Sequence, residues 1–227
     1  MPIYLKCNKF FFFLVLILCF STRVQAESFQ NKVTILSSGY VKPIPGKEFL
    51  PGVKTDGARK VASTVALVQG KDSILIVDPG MVANKSLIKN SLKKHNVSVD
   101  AVTHVFISHH HPDHTINIGL FPNAEVIDFW AKYKNDVWED HPNNYEIAPG
   151  ITVMKTPGHT KEDASLIVKT AEGVYAFTHL WWFPDMGPKV DPLAWNQSEI
   201  EKHREKILEI ADWIVPGHGK MFKNPKK

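Results

Sequence analysis

The chain has 227 residues, 44% of them hydrophobic and 22% charged, with a formal net charge of +4. That length suits one domain with a substantial core and falls short of two, and the composition is ordinary for a globular protein. The small positive excess excludes the broad charge footprint of a protein that tracks a phosphate backbone, leaving room only for a local basic patch.

The first residues differ from the rest. Lys6 and Lys9 precede an apolar run from Phe10 to Phe20, and Val24-Gln25-Ala26 offers small residues at the spacing a signal peptidase reads. This is the pattern of a secretory signal peptide, with cleavage expected after Ala26 and export of residues 27–227 as one domain. The alternative, a membrane anchor, conflicts with the length of the run, since a helix needs about 20 apolar residues to span hydrocarbon. Losing Lys6, Lys9 and Arg23 lowers the basic residues from 27 to 24 against 23 acidic ones. Both cysteines, Cys7 and Cys19, would leave as well, so the exported chain has no disulfide, thiolate nucleophile or thiolate metal ligand. Asn84-Lys85-Ser86, Asn96-Val97-Ser98 and Asn196-Gln197-Ser198 fit the glycosylation sequon.

Along the remaining chain, residues 33–40 read as a first strand, followed by a loop with Pro43, Pro45, Gly46, Pro51 and Gly52. Residues 61–68 and 73–77 predict a hairpin turned by Gly70-Lys71-Asp72. Leu87, Ile88 and Leu92 mark a helix over 84–95. A strand over 101–108 ends where a run of histidines begins, and short strands are expected at 125–129, 151–156, 165–169 and 174–177. A helix over 198–210 carries Ser198 as N-cap with Glu201 three residues on, a capping box, and 213–215 is a last strand. The order suggests a layered α/β protein with hairpin-connected sheets, without fixing its topology.

The chemistry concentrates in Ser108-His109-His110-His111-Pro112-Asp113-His114. Extended backbone points His109 and His111 to the same side, and Asp113 and His114 follow where a helix start can aim them back. Imidazoles and a carboxylate this close form a metal-site composition. A solvated surface cluster would account for His110. It would not account for His159, His179 and His218, each at the end of a strand-like run where ligands are presented to a cleft.

Together these residues resemble the metallo-β-lactamase superfamily signature, His-x-His-x-Asp-His, in His109, His111, Asp113 and His114. The likeness continues through Asp78 in Ile76-Val77-Asp78-Pro79-Gly80, His159 in Pro157-Gly158-His159-Thr160, and His218 in Pro216-Gly217-His218-Gly219. It implies a four-layer αββα sandwich with metals at the open edge between two sheets. By position, His109, His111 and His159 would hold one zinc ion, Asp113, His114 and His218 a second, and Asp78 would brace a ligand. One position departs: where the superfamily usually has Gly-Asp, with an aspartate bridging both metals, this chain has Thr178-His179. A neutral imidazole brings no negative charge, so the second site is weakened or the metal changed, and His179 either ligates one ion or merely sits near the cleft. One or two Zn2+ per chain are therefore expected.

Zinc with an open position lowers the pKa of bound water to about 7, giving hydroxide at neutral pH. The chain has no Gly-x-Ser-x-Gly element, which leaves such hydroxide as the strong nucleophile, with Asp113 as a proton acceptor. The likeness further points to a small single-domain subgroup described as homodimeric zinc endoribonucleases of histone pre-mRNA, implying phosphodiester hydrolysis of an RNA substrate. Export and the near-neutral charge pull toward a secreted small-molecule ester, thioester or lactone hydrolase, and loss of the bridging carboxylate toward a metal-binding protein without activity. The aromatic stretch from Trp181 and Trp182 to Trp195 would either stack on a substrate or cover the core rim or a dimer contact.

Overall fold

The computed structural model describes residues 30–47, 57–81 and 85–227. The signal segment expected at 1–26 lies outside them, with Cys7 and Cys19, as do Asn84 and the middle of the Pro/Gly-rich loop. The chain opens with β1 (Lys32–Ser37) and a short pair, β2 (Tyr40–Pro43) and β3 (Arg59–Ala62). Strands β4 (Val65–Gln69) and β5 (Ile74–Val77) form the expected hairpin, closed by the Gly70 N–H donating to the Ser73 carbonyl at 2.8 Å. Helix α1 (Ser86–Lys94), strand β6 (His104–Phe106) and the one-turn helix α2 (Pro112–Thr115) follow, then β7 (Glu125–Ile127), β8 (Ala131–Lys134) and β9 (Val137–Asp140). The second half runs β10 (Tyr145–Ala148), β11 (Ile151–Lys155), β12 (Ala164–Thr170), β13 (Gly173–Thr178), helix α3 (Gln197–Ile210), β14 (Trp213–Pro216) and β15 (Phe222–Lys223).

Two mixed sheets result, ordered β1-β4-β5-β6-β7-β8-β9 and β10-β11-β12-β13-β14-β15. Side chains alternate along each strand, so every central strand serves two cores. Ala66 and Val68 of β4 pack with Leu166, Val168, Tyr175 and Phe177 between the sheets, whereas Val65 and Leu67 pack outward against Ile88 and Leu92 of α1. Ala176 of β13 turns outward against Ile200 and Ile207 of α3. Helix, sheet, sheet, helix: the expected αββα sandwich is present. Parallel neighbours need a crossover, and each helix lies in one, α1 between β5 and β6, α2 between β6 and β7, and α3 between β13 and β14.

Four expectations are corrected in detail. Residues 33–40 split into β1 and β2, and 61–68 split into β3 and β4. The second break falls at Ser63 and Thr64, buried polar residues whose N–H groups donate to the Asp113 and Gly217 carbonyls instead of continuing a ladder. Helix α3 begins one residue earlier than expected and is capped by Asn196, whose Oδ1 accepts from the Ser198 and Glu199 N–H groups. Glu201 bonds Gln197 rather than closing a capping box. Strands β8, β9 and β10 went unpredicted because they are short and mix polar with apolar residues without burying a regular face, and β9 is exposed along its whole length. Asn135 and Asp136, at φ 51° and 62°, turn the β8–β9 hairpin.

Candidate metal centre

Strands β5 and β6 run parallel, as do β13 and β14, and β11 runs with β13 because each is antiparallel to β12. The loops leaving these strands carry Asp78, the His109–His114 run, His159, His179 and His218. Carboxyl ends of neighbouring strands are where an α/β protein gathers its functional loops, and here the loops of both sheets meet.

Asp78, buried and at φ 45°, organises the first loop. Its Oδ1 accepts from the Ser108 N–H and its Oδ2 from the Ser108 hydroxyl, both at 2.7 Å, and Oδ2 also accepts from His114 Nδ1 at 2.9 Å. The following Gly80 passes against α2 so closely that a Cβ there would lie 1.6 Å from the Asp113 carbonyl oxygen, so only glycine fits. Pro112 at the first position of α2 suits a helix start, where its missing N–H costs nothing, and it sets Asp113 and His114 in the first turn.

The remaining histidines are fixed by their second nitrogens. His159 Nδ1 donates to Asp191 Oδ2 at 2.8 Å, and His218 Nδ1 donates to the Ala62 carbonyl at 2.8 Å. His109 Nδ1 lies 3.2 Å from Ser108 Oγ, which has already given its proton to Asp78. His109 Nε2, His159 Nε2 and His218 Nε2 therefore present lone pairs, as does His114 Nε2 behind its Asp78 bond.

Those atoms fall into two sets. His109 Nε2 and His159 Nε2 stand 3.0 and 3.2 Å from His111 Nδ1. His114 Nε2 and His218 Nε2 stand 3.6 and 3.5 Å from Asp113 Oδ2. Ligands about 2.0–2.1 Å from an ion sit roughly 3.3–3.4 Å apart at the corners of a tetrahedron, so both triads match a divalent cation of zinc size. Converging lone pairs repel one another unless a cation lies between them. His114 Nε2, fully buried, has no hydrogen-bond partner among the described residues, as expected of an atom meant for a metal. Burial, reinforced by neighbouring imidazoles, pushes His109 well below the ordinary histidine range and His218 down to about 4, keeping both neutral and able to ligate. His114 moves the other way: burial lowers it, but Asp78 outweighs burial and raises it, increasing the basicity of the ring. The donor chemistry fits a divalent metal.

His179 lies between the sets. Its Nε2 is 3.2 Å from His218 Nε2, its ring stacks on His159 at 4.3 Å, and its buried Nδ1 has no partner among the described residues. All seven residues predicted for the site thus converge. His110 stays outside: half exposed, it bonds Asp128 at 2.9 Å beside the Trp130 ring.

Sequence reasoning missed Asp191. It accepts from Trp182 Nε1 and the Leu193 N–H as well as from His159, and is almost fully buried. No periodicity marks it in its loop. Its one signal is the rule that a ligating histidine usually gives its other N–H to a carboxylate. Of the aromatic stretch, Trp181 is buried against α3, while Trp182 lines a cavity of about 310 Å³ above the histidines. Val41, Val61, Met81, Pro112 and Leu193 complete its apolar wall, and Arg59 is the cation among its lining residues.

Comparison with known proteins agrees with this geometry. Residues 58–138 match the Metallo-beta-lactamase superfamily. The chain is 33% identical over 201 residues to Metallo-beta-lactamase domain-containing protein 1 of Xenopus laevis, covering 85% of this chain and 82% of that protein. It is 30% identical over 98 residues to an N-acyl homoserine lactonase of Bacillus sp, covering 37% and 39% of the two chains. Among solved structures, a putative metallo-beta-lactamase of Thermotoga maritima superposes with a TM-score of 0.66 at 20% identity, over 86% of this chain and 99% of that one.

Proposed function

The chain belongs to the metallo-β-lactamase superfamily and is a metal-dependent hydrolase; from that premise we propose that it cleaves a small ester, thioester or lactone. The observation that carries this reading is the cavity. At about 310 Å³ it has the size of a small-ligand site, opens directly onto His111, Asp113, His159 and His218, and is walled by apolar side chains. A polynucleotide would need a cationic track, and Arg59 alone supplies positive charge to the described lining. The partial likeness to a lactonase supports the same choice.

We assign His109, His111 and His159 to one ion and Asp113, His114 and His218 to a second, with zinc as the metal because N/O triads of tetrahedral spacing suit it. Bound there, such an ion acidifies a water molecule and polarises the carbonyl oxygen of the substrate. The protein's own part is orientation. Asp78 holds the His114 ring, Asp191 holds His159, and the Ala62 carbonyl holds His218. Asp113, the carboxylate among the described lining residues, takes the proton released as water oxygen joins the acyl carbon. That proton passes to the leaving alkoxide or thiolate as the C–O or C–S bond breaks. Trp182 and Leu193 line the cavity beside the reacting centre.

The test is a parallel assay of metal-reconstituted protein on esters, thioesters, lactones, bis(4-nitrophenyl) phosphate and RNA. Ester-class turnover abolished by His111→Ala, with no RNA cleavage, is the expected result. RNA cleavage lost in the same variant would replace this reading with an endoribonuclease, and metal binding without turnover would reduce the protein to a binding function. Elemental analysis of the purified protein identifies and counts the metal. Export through the 1–26 segment belongs to the same proposal, and an N-terminus at Glu27 on protein from the medium would support it.

A further inference from the structure

We infer that the substrate carries an anionic group, set several bonds from its scissile carbonyl, and that Arg59 selects for it. This rests on the hydrolase reading above and adds the charge class of the substrate. Arg59 lies on β3 opposite Pro43 of β2, in a two-stranded lip whose register also sets Val61 opposite Val41 and Lys60 opposite Lys42. Successive side chains on a strand point to opposite faces, and residues directly across an antiparallel pair share one. Arg59 therefore shares the face of Val61 and Val41, and all three line the metal cavity. Lys60 and Lys42 fall on the other face, where the Lys42 ammonium lies over the Tyr40 ring at 5.3 Å. Strand register thus turns Arg59, and neither lysine of the lip, toward the cavity.

The lip is anchored to the metal centre, which gives Arg59 a fixed offset. The carbonyl of Ala62, the last residue of β3, accepts from His218 Nδ1 at 2.8 Å, and the next N–H, of Ser63, donates to the Asp113 carbonyl at 3.1 Å. Arg59 stands at the other end of the strand, about 10 Å from Ala62 along extended backbone. An anion held by Arg59 and a carbonyl at the metals therefore belong to one molecule only if a spacer joins them. Asp113 and the lining histidines belong to the metal centre, and the rest of the wall is apolar or aromatic apart from Arg59. A cleft with apolar walls focuses the field of its charges, so a guanidinium there acts on an anion more strongly than one on an open surface. Its fork also matches a carboxylate with two parallel hydrogen bonds.

The experiment uses metal-reconstituted protein and two series of matched substrates. One compares 4-nitrophenyl monoesters of adipic, pimelic and suberic acid with their methyl-capped diesters, placing the charge on the acyl side. The other compares the acetyl thioester of 6-mercaptohexanoate with that of its methyl ester, placing the charge on the leaving side. In at least one series, the kcat/KM ratio of charged to capped substrate should exceed unity and fall about fivefold in Arg59→Gln, the upper worth of an ion pair that stays partly exposed. Arg59→Lys should recover part of the ratio, and Lys60→Gln, on the opposite face, should keep it. Raising salt from about 0.01 to 1 M, which shortens the screening length from about 30 to 3 Å, should erase the difference between parent and Arg59→Gln. A ratio of unity in both series, or one that Arg59→Gln leaves unchanged, overturns the inference while the hydrolase reading stands. If no substrate turns over, that reading fails, and calorimetry of suberate against monomethyl suberate decides. Both offer one carboxylate to the metals, and only suberate has a second for Arg59. Tighter binding of suberate that Arg59→Gln abolishes sustains the role of Arg59, and the same margin in both proteins overturns it.

Discussion

Asp191 Oδ2 accepts hydrogen bonds from His159 Nδ1 at 2.8 Å and from Trp182 Nε1 at 2.9 Å, so one carboxylate oxygen ties a metal-site histidine to the wall of the substrate cavity. Neither partner is near Asp191 in the way a local motif would require, since His159 lies 32 residues away. The bond fixes the His159 tautomer that leaves Nε2 free to ligate.

Asp191→Asn keeps an acceptor but removes the charge. Metal affinity, read by competition with a chromogenic chelator, should fall about 10- to 100-fold, the range seen for partners of ligating histidines. Asp191→Ala should fall further and also raise KM, because Trp182 loses its anchor. Unchanged metal affinity in both variants would mean that the pairing is structural only.

His179 brings no charge to a position between the two sets, where one carboxylate, Asp113, serves six assigned donors. Two divalent ions close together repel, so calorimetry should resolve one tight and one weak binding event. His179→Asp should tighten the weak event by about tenfold or more, since a charge a few ångström from an ion is worth over 1 kcal/mol even at high effective dielectric. Two equal events in the parent protein would contradict this account of His179.

Chelation should destabilise the fold, because at least six acceptor atoms face one another once the cations leave. At ion concentrations near 100 times Kd the linkage is about 2.7 kcal/mol per site. For a domain of this length that corresponds to a rise in Tm of roughly 5–10 °C on adding metal. Differential scanning calorimetry with and without chelator measures it.

Gly80→Ala should cost about 2–4 kcal/mol or more, since backbone at Asp113 has to move to admit a methyl group. The movement displaces α2, so residual metal binding at the Asp113, His114 and His218 triad should fall with stability. Denaturant unfolding and chelator competition on the same variant test both consequences.

Asn196 caps α3, not Ser198. Asn196→Ala should therefore destabilise by about 1 kcal/mol, and Ser198→Ala by distinctly less. Because the Asn196 N–H also holds the Gly158 carbonyl, a larger loss accompanied by weaker metal binding would show that the cap serves the His159 turn.

The sequence by itself marked which residues gather at the strand ends as candidate metal ligands, because alternation along extended backbone and glycine or proline beside strand ends leave a local trace. His109, His111, Asp113, His114, His159, His179 and His218 are all legible this way, as are the β4–β5 hairpin, both long helices and the αββα layering implied by the family likeness. Fully exposed strands such as β9 carry no such alternation, and a cap is chosen by backbone angles at Asn196 that Ser198 equally permits from sequence. Tertiary structure alone decided that Asp191 meets His159, that Ser63 and Thr64 interrupt a strand to hold the site loops, and that Leu193 lines the cavity. Those relations join segments far apart in the chain, and only the packing of two sheets, which brings their strand ends to one edge, creates them.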